Sequence, residues 1–259
     1  MAETDIPAKE IQIPTNLRLL LILEEVAQRG VAVKPSDLIE ALGLAKPTVH
    51  RLLQTAEAEG FLQRDLDGRS YGPGPRLRRL SVNTMSSEHL RTARLAILRG
   101  VADEIGETCN LAIPDREGMI YLDRVETKWP LRIQLPIGTQ VPFHCTASGK
   151  MYLSTLRRST LDGFLSAQKL HPNTAQTITE PDALRREIRQ IAQNGYSTDD
   201  EEFMPGMAAV AVPVFDGNNR LMATLAVHAP TQRNDLTSLK QFLALLQAGA
   251  KKLSGLLTS

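Results

Sequence analysis

Residues 33–71 of the chain, VKPSDLIEALGLAKPTVHRLLQTAEAEGFLQRDLDGRSY, predict two short helices joined by a tight turn and followed by a hairpin. Pro35 opens the first helix, because proline suits the first helical turn, and Gly43 provides the turn at its end. Pro47 opens the second helix in the same way. Asp67-Gly68 is a two-residue hairpin signal between two extended runs. This order of elements is typical of a winged helix-turn-helix, a fold that reads DNA.

The second helix has two chemically different faces. Val49, Leu52, Leu53 and Ala56 recur at the i, i+3, i+4, i+7 spacing of one buried stripe. The opposite face carries polar side chains whose donors suit phosphates and base edges. The predicted DNA-contacting residues are Lys46, Thr48, His50, Arg51 and Gln54 in this helix and Arg69 at the hairpin tip. The spacing alone leaves open an ordinary helical hairpin with a solvated polar face.

The composition bounds the class of protein. The 259 residues are 42% hydrophobic, enough for two domains with their own cores. Lys and Arg total 30 against 29 for Asp and Glu, so affinity for double-stranded operator DNA requires local placement of charge. The presence of only two cysteines argues against a disulfide-stapled secreted protein, and the opening residues lack the pattern of a signal peptide. We therefore expect a cytoplasmic protein.

The most apolar stretch, residues 17–23, is far shorter than the roughly 20 residues that span a bilayer, so no membrane association is expected. A helix that is apolar on several sides needs a cover on more than one of them. One side can pack on the helix-turn-helix. The other is covered either within its own domain or by the same helix of a second subunit, which predicts a homodimer on a two-fold DNA site.

The second half of the chain mixes strand and helix patterns. Predicted strands cover residues 108–113, 119–125, 131–135, 207–215 and 221–227, and predicted helices cover residues 181–194 and 236–257. Short turn-like connections join several of these strands, as in an antiparallel sheet. Strands that do not alternate strictly with helices indicate an α+β domain.

Several separated motifs resemble the IclR family of bacterial transcription regulators, over residues 16–257. They are GLAKPTVHRLLQTAEAEGFLQRD, YGPGPRLRRL, LPIGTQVPFHCTASGKMYL, NGYSTDDEEFMPGMAAVAVPVFD and AVHAP. The resemblance implies a winged helix-turn-helix at 14–77, a linker helix at 78–99 and a GAF-like effector-binding domain of α+β fold at 100–259. It also implies a homodimer or tetramer that represses or activates a catabolic operon in response to a small metabolite.

The segment HCTASGK, residues 144–150, lies where a loop enters a helix. Backbone N–H groups of a first helical turn have no partner within the helix and can hold an anionic oxygen. The resemblance implies that Ala147 and Ser148 contact the effector at this turn, which also contains Gly149. We therefore expect the turn to bind the carboxylate of a small organic acid.

Two catalytic interpretations of the same segment compete with this one. A phosphate-binding loop is excluded, because Met151 follows Lys150 where that motif requires Ser or Thr. A nucleophilic Cys145 beside His144 leaves a small-molecule enzyme open, although neighbouring residues of an extended strand point to opposite faces. The other interpretation of Cys145 is a small buried apolar residue.

The remaining effector contacts follow from the resemblance. It implies that Asp199 faces the ligand, and that Ala209, Ala226 and His228 stand where many members have Cys or small hydroxyl residues. An imidazole at this place would titrate near neutrality and select ligands by its charge, unless His228 is a core histidine bonded to backbone. The predicted effector-contacting residues are Leu131, Ile133, Ala147, Ser148, Gly149, Asp199, Met207, Ala209, Ala226 and His228.

The residues and the family resemblance together predict a DNA-binding transcription regulator that is controlled by a small organic acid with some apolar or aromatic bulk. No catalytic residue, no cofactor and no metal site are expected, because the five histidines do not fall at ligand spacing. Two other classes stay open: an enzyme that uses Cys145, and a ligand-binding protein whose helix-turn-helix serves only protein association.

Overall fold

The computed structural model describes residues 13–65, 67–85, 88–115 and 117–258, and the chain divides into two compact units, Met1–Ser87 and Glu88–Ser259. The first unit contains α1 (Arg18–Arg29), α2 (Pro35–Leu42), α3 (Lys46–Ala58), β1 (Leu62–Arg64), β2 (Tyr71–Pro73) and α4 (Pro75–Met85). The second contains α5 (Glu88–Ile105), β3 (Thr108–Pro114), β4 (Met119–Val125), β5 (Gln140–Val141), α6 (Ala147–Ser154), α7 (Arg158–Ala167), α8 (Pro181–Asn194), β6 (Ser197–Asp200), β7 (Met207–Phe215), β8 (Leu221–Pro230), α9 (Leu236–Lys240) and α10 (Leu243–Thr258).

The predicted helix-turn-helix is confirmed in the first unit. The Asp37 carboxylate accepts the backbone N–H of Lys34 at 3.2 Å and thereby caps the start of α2. Gly43 ends α2 in the left-handed region, at φ 61°, where a side chain would be strained. The turn that follows is short, so α2 and α3 pack against each other.

A single apolar core holds α1, α2, α3 and the wing together. Its buried members are Ile22, Val26, Val33, Leu38, Leu44, Val49, Leu53, Ala56, Leu62 and Tyr71. Complete burial of a large aliphatic side chain contributes about 1.5–3 kcal/mol, so the stripe predicted in α3 anchors that helix firmly. The polar face of α3 is consequently the face left to solvent.

The wing is the two-stranded antiparallel hairpin of β1 and β2. Gly68 adopts φ 64° at its tip. The Asp67 carboxylate accepts the backbone N–H groups of Arg69 and Ser70, both at 2.8 Å, and the Ser70 hydroxyl at 2.6 Å. These bonds lower the pKa of Asp67 to about 2. The bond from the Ser70 hydroxyl has the largest effect, followed by those from the backbone N–H groups of Ser70 and Arg69. The tip is therefore held by an ionised side chain.

The second unit is built on an antiparallel sheet of order β5-β4-β3-β8-β7-β6. Helices α5 and α10 pack on one face, where Leu225 of β8 points toward Gly249 of α10. Helix α6 packs on the opposite face and is itself covered by α8. Because side chains alternate along each strand, every strand contributes residues to both layers.

Two predicted elements differ in the structure. Residues 131–135 are not a strand: the edge of β4 already pairs with β5, and side chains of Arg124 and Arg233 bond the carbonyls of Ile133 and Leu131. The single helix predicted at 236–257 is two helices, α9 and α10. The i→i+3 bond from Phe242 N–H to the Leu239 carbonyl tightens the chain between them.

The predicted linker helix at 78–99 falls on α4 and α5, with residues 86 and 87 outside the described residues. Within the described parts of the chain, no helix has both the length and the apolarity needed to cross a membrane.

Candidate functional sites

Helix α3 presents one exposed polar face. Lys46, His50, Arg51 and Gln54 are exposed and Thr48 is half-buried, whereas Val49, Leu53 and Ala56 are buried. The local reason is the helical period. The apolar stripe packs into the core, so the polar residues on the opposite side of the helix face solvent. The structure therefore brings the five helix residues predicted to contact DNA together on one surface of α3.

The cationic side chains near α3 and the wing differ in whether a carboxylate pairs with them. Arg64 pairs with Glu57 at 2.9 Å, and Arg76 pairs with Glu59 at 2.8 Å. In the described part of the chain, by contrast, no carboxylate lies within ion-pair distance of Lys46, Arg51 or Arg69. In a nearly neutral protein, these three unpaired cations are the local positive charge that phosphate contacts require.

The effector site predicted in the second unit centres on the first turn of α6. The Thr146 hydroxyl accepts the Gly149 N–H at 3.0 Å and donates to the Pro142 carbonyl at 2.7 Å, so the Gly149 N–H is not available to a ligand. Gly149 has another role, because a Cβ there would lie 2.4 Å from the Phe143 Cα. The N–H groups of Ala147 and Ser148 find no acceptor among the described residues. They are the donors that this turn offers.

Beneath α6 the sheet forms a floor of alanines. Strand register places Ser197, Ala211, Ala226, Asn110 and Arg124 in one row across the face that α6 covers. The neighbouring row contains Asp199, Ala209, His228 and Thr108. The central positions of the first row, Ala211 and Ala226, and Ala209 of the second lack bulk, so polar side chains, including the imidazole of His228, surround a small apolar floor.

Asp199 is buried at one end of this floor. Its Oδ1 accepts the backbone N–H groups of Glu202 at 2.8 Å and Phe203 at 3.2 Å. Burial, followed by the negative charge of Glu202, raises the Asp199 pKa to about 7. Glu202 in turn pairs with the buried Lys150, which lies 3.4 Å from Glu187. A carboxyl group in this setting can donate as well as accept a hydrogen bond near neutral pH.

His228 lies in the row of Asp199, two strands away. Its Nε2 is buried and finds no partner in the described structure, and its ring lies edge-on to that of Tyr121, with centroids 6.2 Å apart. Burial, followed by the positive charge of Arg124, lowers the His228 pKa to about 3. The expectation that this imidazole titrates near neutrality is therefore wrong, because desolvation penalises its charged form.

The three apolar side chains predicted to line the effector site differ in their burial. Ile133 is buried and Met207 is half-buried, in keeping with a wall. Leu131 is 60% exposed while its backbone carbonyl is held by Arg233, so its side chain does not line an enclosed site in this structure. The reason is the loop conformation of residues 131–135, whose alternation does not follow the pleat of a strand.

Sequence reasoning missed Arg124, Asn110 and Thr224, which lie on the same face as the predicted residues. The side chain of Arg124 is only 4% exposed, and Asn110 and Thr224 are fully buried. For Arg124 the available signal was a pair of charged residues, Asp123 and Arg124, at the end of an otherwise mostly apolar strand, because charged residues are rarely buried unless they are paired. Local pattern could not show which face it occupied relative to α6.

The family of the chain follows from its comparison with known proteins. Residues 17–66 match the model of the IclR helix-turn-helix domain, and residues 82–255 match that of the bacterial transcriptional regulator IclR C-terminal domain. The chain belongs to the IclR family. It is a DNA-binding transcriptional regulator.

Individual IclR-family relatives align over nearly the whole chain. The probable transcriptional regulator SauR of Cupriavidus necator is 36% identical over 237 residues, covering 92% of this chain and 94% of that protein. The transcriptional repressor IclR of Escherichia coli is 29% identical over 245 residues, covering 94% and 89%. The crystal structure of Thermotoga maritima IclR superposes with a TM-score of 0.63 at 26% identity, covering 95% of this chain and 99% of that one.

The IclR family consists of transcriptional regulators rather than enzymes. The environment of Cys145 agrees with this, because burial, followed by the charges of Asp199 and Glu202, raises the pKa of its thiol to about 12. A thiol in that state is not an activated nucleophile. Among the described residues, no group of three His, Cys, Asp or Glu side chains is placed to hold a metal ion.

Proposed function

We propose that this IclR-family protein is a homodimer whose α3 helices read operator DNA and whose second units sense a small organic acid. The observation that carries the proposal is the ring of buried hydrogen-bonding groups without partners around the alanine floor: Ser148 Oγ, Asn110 Nδ2, Thr224 Oγ1 and His228 Nε2. Leaving one such group unpaired costs about 1–3 kcal/mol, so a site that keeps four of them is arranged for a polar ligand.

In the proposed DNA complex, Arg51 and Gln54 approach base edges, while Lys46, Thr48, His50 and Arg69 contact the phosphate backbone. The exposure of α3 and the unpaired state of its cations support these roles. Arg is the side chain best suited to bidentate contact with guanine, and a recognition helix enters the major groove with one face.

The DNA assignment is tested by titrating the native operator with the full chain. Arg51→Ala should lower specific affinity by about 1–3 kcal/mol if the side chain makes a bidentate base contact, and Gln54→Ala should relax selectivity. Arg158→Ala is the matched control, because it removes the same charge from an arginine of α7 that is 95% exposed. Unchanged affinity in both α3 variants would remove this helix from the reading role.

In the proposed effector complex, the N–H groups of Ala147 and Ser148 hold a carboxylate of the ligand and the Ser148 hydroxyl adds a bond. The buried Ser148 Oγ without a partner supports this placement. Ile133, Met207, Ala209 and Ala226 would supply the apolar contacts. Asp199 would bond a ligand hydroxyl rather than a second carboxylate, since like charges repel at short range.

The effector site is tested by calorimetry with aliphatic and aromatic carboxylic acids. Ser148→Trp places a bulky ring at the α6 turn beside the alanine floor and should abolish binding, whereas Ser166→Trp, on the exposed face of α7, should bind as the wild type does. Ligand-free operator affinity should stay nearly constant in Ser148→Trp, because an effector acts through its differential affinity for two states. Equal binding by both variants would place the site elsewhere.

The homodimer is supported by α1. Leu17 and Leu20 of this region are 43% and 58% exposed, although Ile22 and Val26 on the other side of the helix are buried. A second copy of α1 would cover the exposed leucines, and the dimer would place two α3 helices on a near-palindromic operator. Sedimentation should give a dimer for the wild type and a smaller species for Leu20→Glu, and a well-folded wild-type monomer would overturn this assembly.

Operator binding implies that the protein works where the chromosome is, so we propose a cytoplasmic location. The regulated genes are proposed to form a catabolic operon whose substrate or product is the sensed acid. Measuring transcript levels of the neighbouring genes in a deletion strain, with and without the acid that binds in calorimetry, tests this link.

A further inference from the structure

Arg124 is a buried cation on the effector face of the sheet. It follows Asp123 on β4, and the two side chains leave the strand on opposite faces: Asp123 meets Arg94 of α5 at 2.6 Å, whereas Arg124 lies in the row of Asn110 and Ala226. The Arg124 side chain is 4% exposed. A guanidinium group enclosed to this extent loses its hydration and requires compensation by negative charge.

Arg94 and Arg124, two buried arginines among the described residues of the second unit, are compensated very differently. Arg94 has the carboxylate of Asp123, which is itself only 1% exposed. The carboxylate that pairs with Arg124 is that of Glu126, 3.1 Å away. Glu126 is 38% exposed and also pairs with Arg132 at 2.8 Å. A carboxylate that is both solvated and shared compensates a buried cation weakly. The other two nitrogens of Arg124 donate to neutral oxygens, those of Asn110 and Ile133, so much of its positive charge is left for another anion.

The neighbours of Arg124 add hydrogen-bond donors on the same face. Arg124 Nη1 donates to Asn110 Oδ1 at 3.0 Å, and since a guanidinium can only donate, this bond fixes the orientation of the amide. Asn110 Nδ2 consequently points its two hydrogens away from Arg124 and finds no partner in the described structure. The Thr224 hydroxyl, one same-face position along β8 from Ala226, is equally unpartnered.

We propose that Arg124, with Asn110 and Thr224, binds a second acidic group of the effector, so that the ligand is a small organic dianion. This inference rests on the proposed function of the same site. One acidic group lies at the Ala147 and Ser148 N–H groups, and the other lies at Arg124, across the alanine floor. Arg124 is a specificity-determining residue, because a ligand with only one acidic group leaves its buried charge to the weak compensation by Glu126.

The geometry separates the two acidic groups. Helix α6 packs over β6, β7 and β8. Arg124 lies in the row of Asn110 and Ala226 but on β4, which β3 separates from β8. Asp199, the buried acid in the neighbouring row of the floor, lies on β6 at the other end of the sheet from β4. The dianion therefore spans the alanine floor with its second acidic group remote from the strand that carries Asp199. Guanidinium forks accept planar carboxylates and tetrahedral oxoanions alike.

The test compares acids of equal carbon number in calorimetry with the full chain. Butyrate is paired with succinate, valerate with glutarate, and 3-phosphonopropionate represents the tetrahedral end group. The wild type should bind the dianions roughly tenfold more tightly or better, as expected for one additional charge-assisted contact. Arg124→Gln should remove that preference, and Arg124→Lys should restore part of it, because it keeps the charge without the fork.

Arg132→Gln is the matched control, because Arg132 also bonds Glu126 but belongs to the loop and is 26% exposed. This variant should keep the full preference for dianions. If monoacids bind the wild type as tightly as diacids and Ser148→Trp blocks them, the dianion inference is wrong while the proposed function stands. A preference that survives in Arg124→Gln likewise overturns the inference. Failure of every acid to bind the wild type overturns the proposed function and this inference together.

Discussion

The two units of the chain place their hydrogen-bonding groups in opposite ways. In the first unit, Arg51 and Gln54 are exposed on one short helix, and their positions follow from the helical period. In the second, Ser148, Asn110 and Thr224 are buried and come from three different elements. The difference fits the partners proposed for the two units, because a solvated duplex is met at the surface, whereas a small ligand gains selectivity from enclosure.

The largest expected effect concerns the buried charges of the second unit. Asp123→Ala removes the carboxylate that lies 2.6 Å from Arg94 Nε and 3.5 Å from Arg91 Nε, at a position only 1% exposed. Removing one partner of a buried pair leaves an uncompensated charge, and we expect the free energy of unfolding to fall by about 3–5 kcal/mol. Chemical denaturation of the full chain measures this loss.

Asp162→Ala provides the comparison at the surface. Asp162 pairs with Arg185 at 3.0 Å but is 42% exposed, and exposed pairs contribute about 0–1 kcal/mol. The double variant Arg94→Met/Asp123→Leu should lose less stability than Asp123→Ala, because it removes both charges together. Equal losses for Asp123→Ala and Asp162→Ala would contradict the idea that enclosure sets the energetics of this unit.

The second prediction is a pH dependence at His228. The unfolded chain protonates a histidine near pH 6.5, whereas burial, followed by Arg124, lowers the folded pKa to about 3. Between these values the unfolded state binds a proton that the folded state excludes, so stability falls as the pH decreases. At pH 5 we expect a loss of about 2 kcal/mol relative to pH 7, which His228→Gln should lack.

Denaturation of both proteins at pH 5 and pH 7 measures this difference. Burial raises the Asp199 pKa to about 7, which acts in the opposite direction, since a folded state that holds a proton loses stability as the pH rises from about 4 to 7. Asp199 is present in both proteins, so the comparison isolates His228. A stability difference that stays constant between the two pH values would show that this histidine is not protected from protonation.

The third prediction contrasts the starts of α3 and α6. Thr146 caps α6 with its hydroxyl, but Ala45 offers α3 no side-chain cap. Ala45→Ser and Ala45→Asp should each stabilise the protein by about 1 kcal/mol. Only Ala45→Asp should lower operator affinity, because its negative charge would face phosphates. Thermal unfolding and shift assays on both variants separate the two effects, and equal affinities would place the start of α3 away from the DNA.

The smallest effect is expected at the wing. Asp67→Ala removes the acceptor of the Arg69 and Ser70 N–H groups, so the tip that carries Arg69 should become less ordered. Operator affinity should fall severalfold, while Asp67→Asn, which keeps one amide oxygen as acceptor, should retain most of it. Anisotropy titrations with a fluorescent operator measure both variants. Wild-type affinity in Asp67→Ala would indicate that the wing tip does not contact DNA.

Sequence reasoning succeeded where structure is local. The predicted bounds of the strand at 119–125, the helix at 181–194 and the strand at 207–215 agree with β4, α8 and β7. These elements are decided by period, capping and turn residues within a few positions of each other. The strand predicted from the alternation at 131–135 is absent. A strand also needs a neighbour with free backbone groups, and β5 already occupies the edge of β4.

By itself the sequence determined the two-unit organisation, the exposed polar face of α3 and the position of the α6 turn, because each depends on residues close in the chain. Only the tertiary structure decided that Arg124 and Asn110 share a face with Ser148 and His228, and that Leu131 points to solvent. Strand order and register set those relations. They are fixed by packing between segments far apart in the chain, such as those of Thr108 and His228, which no local pattern encodes.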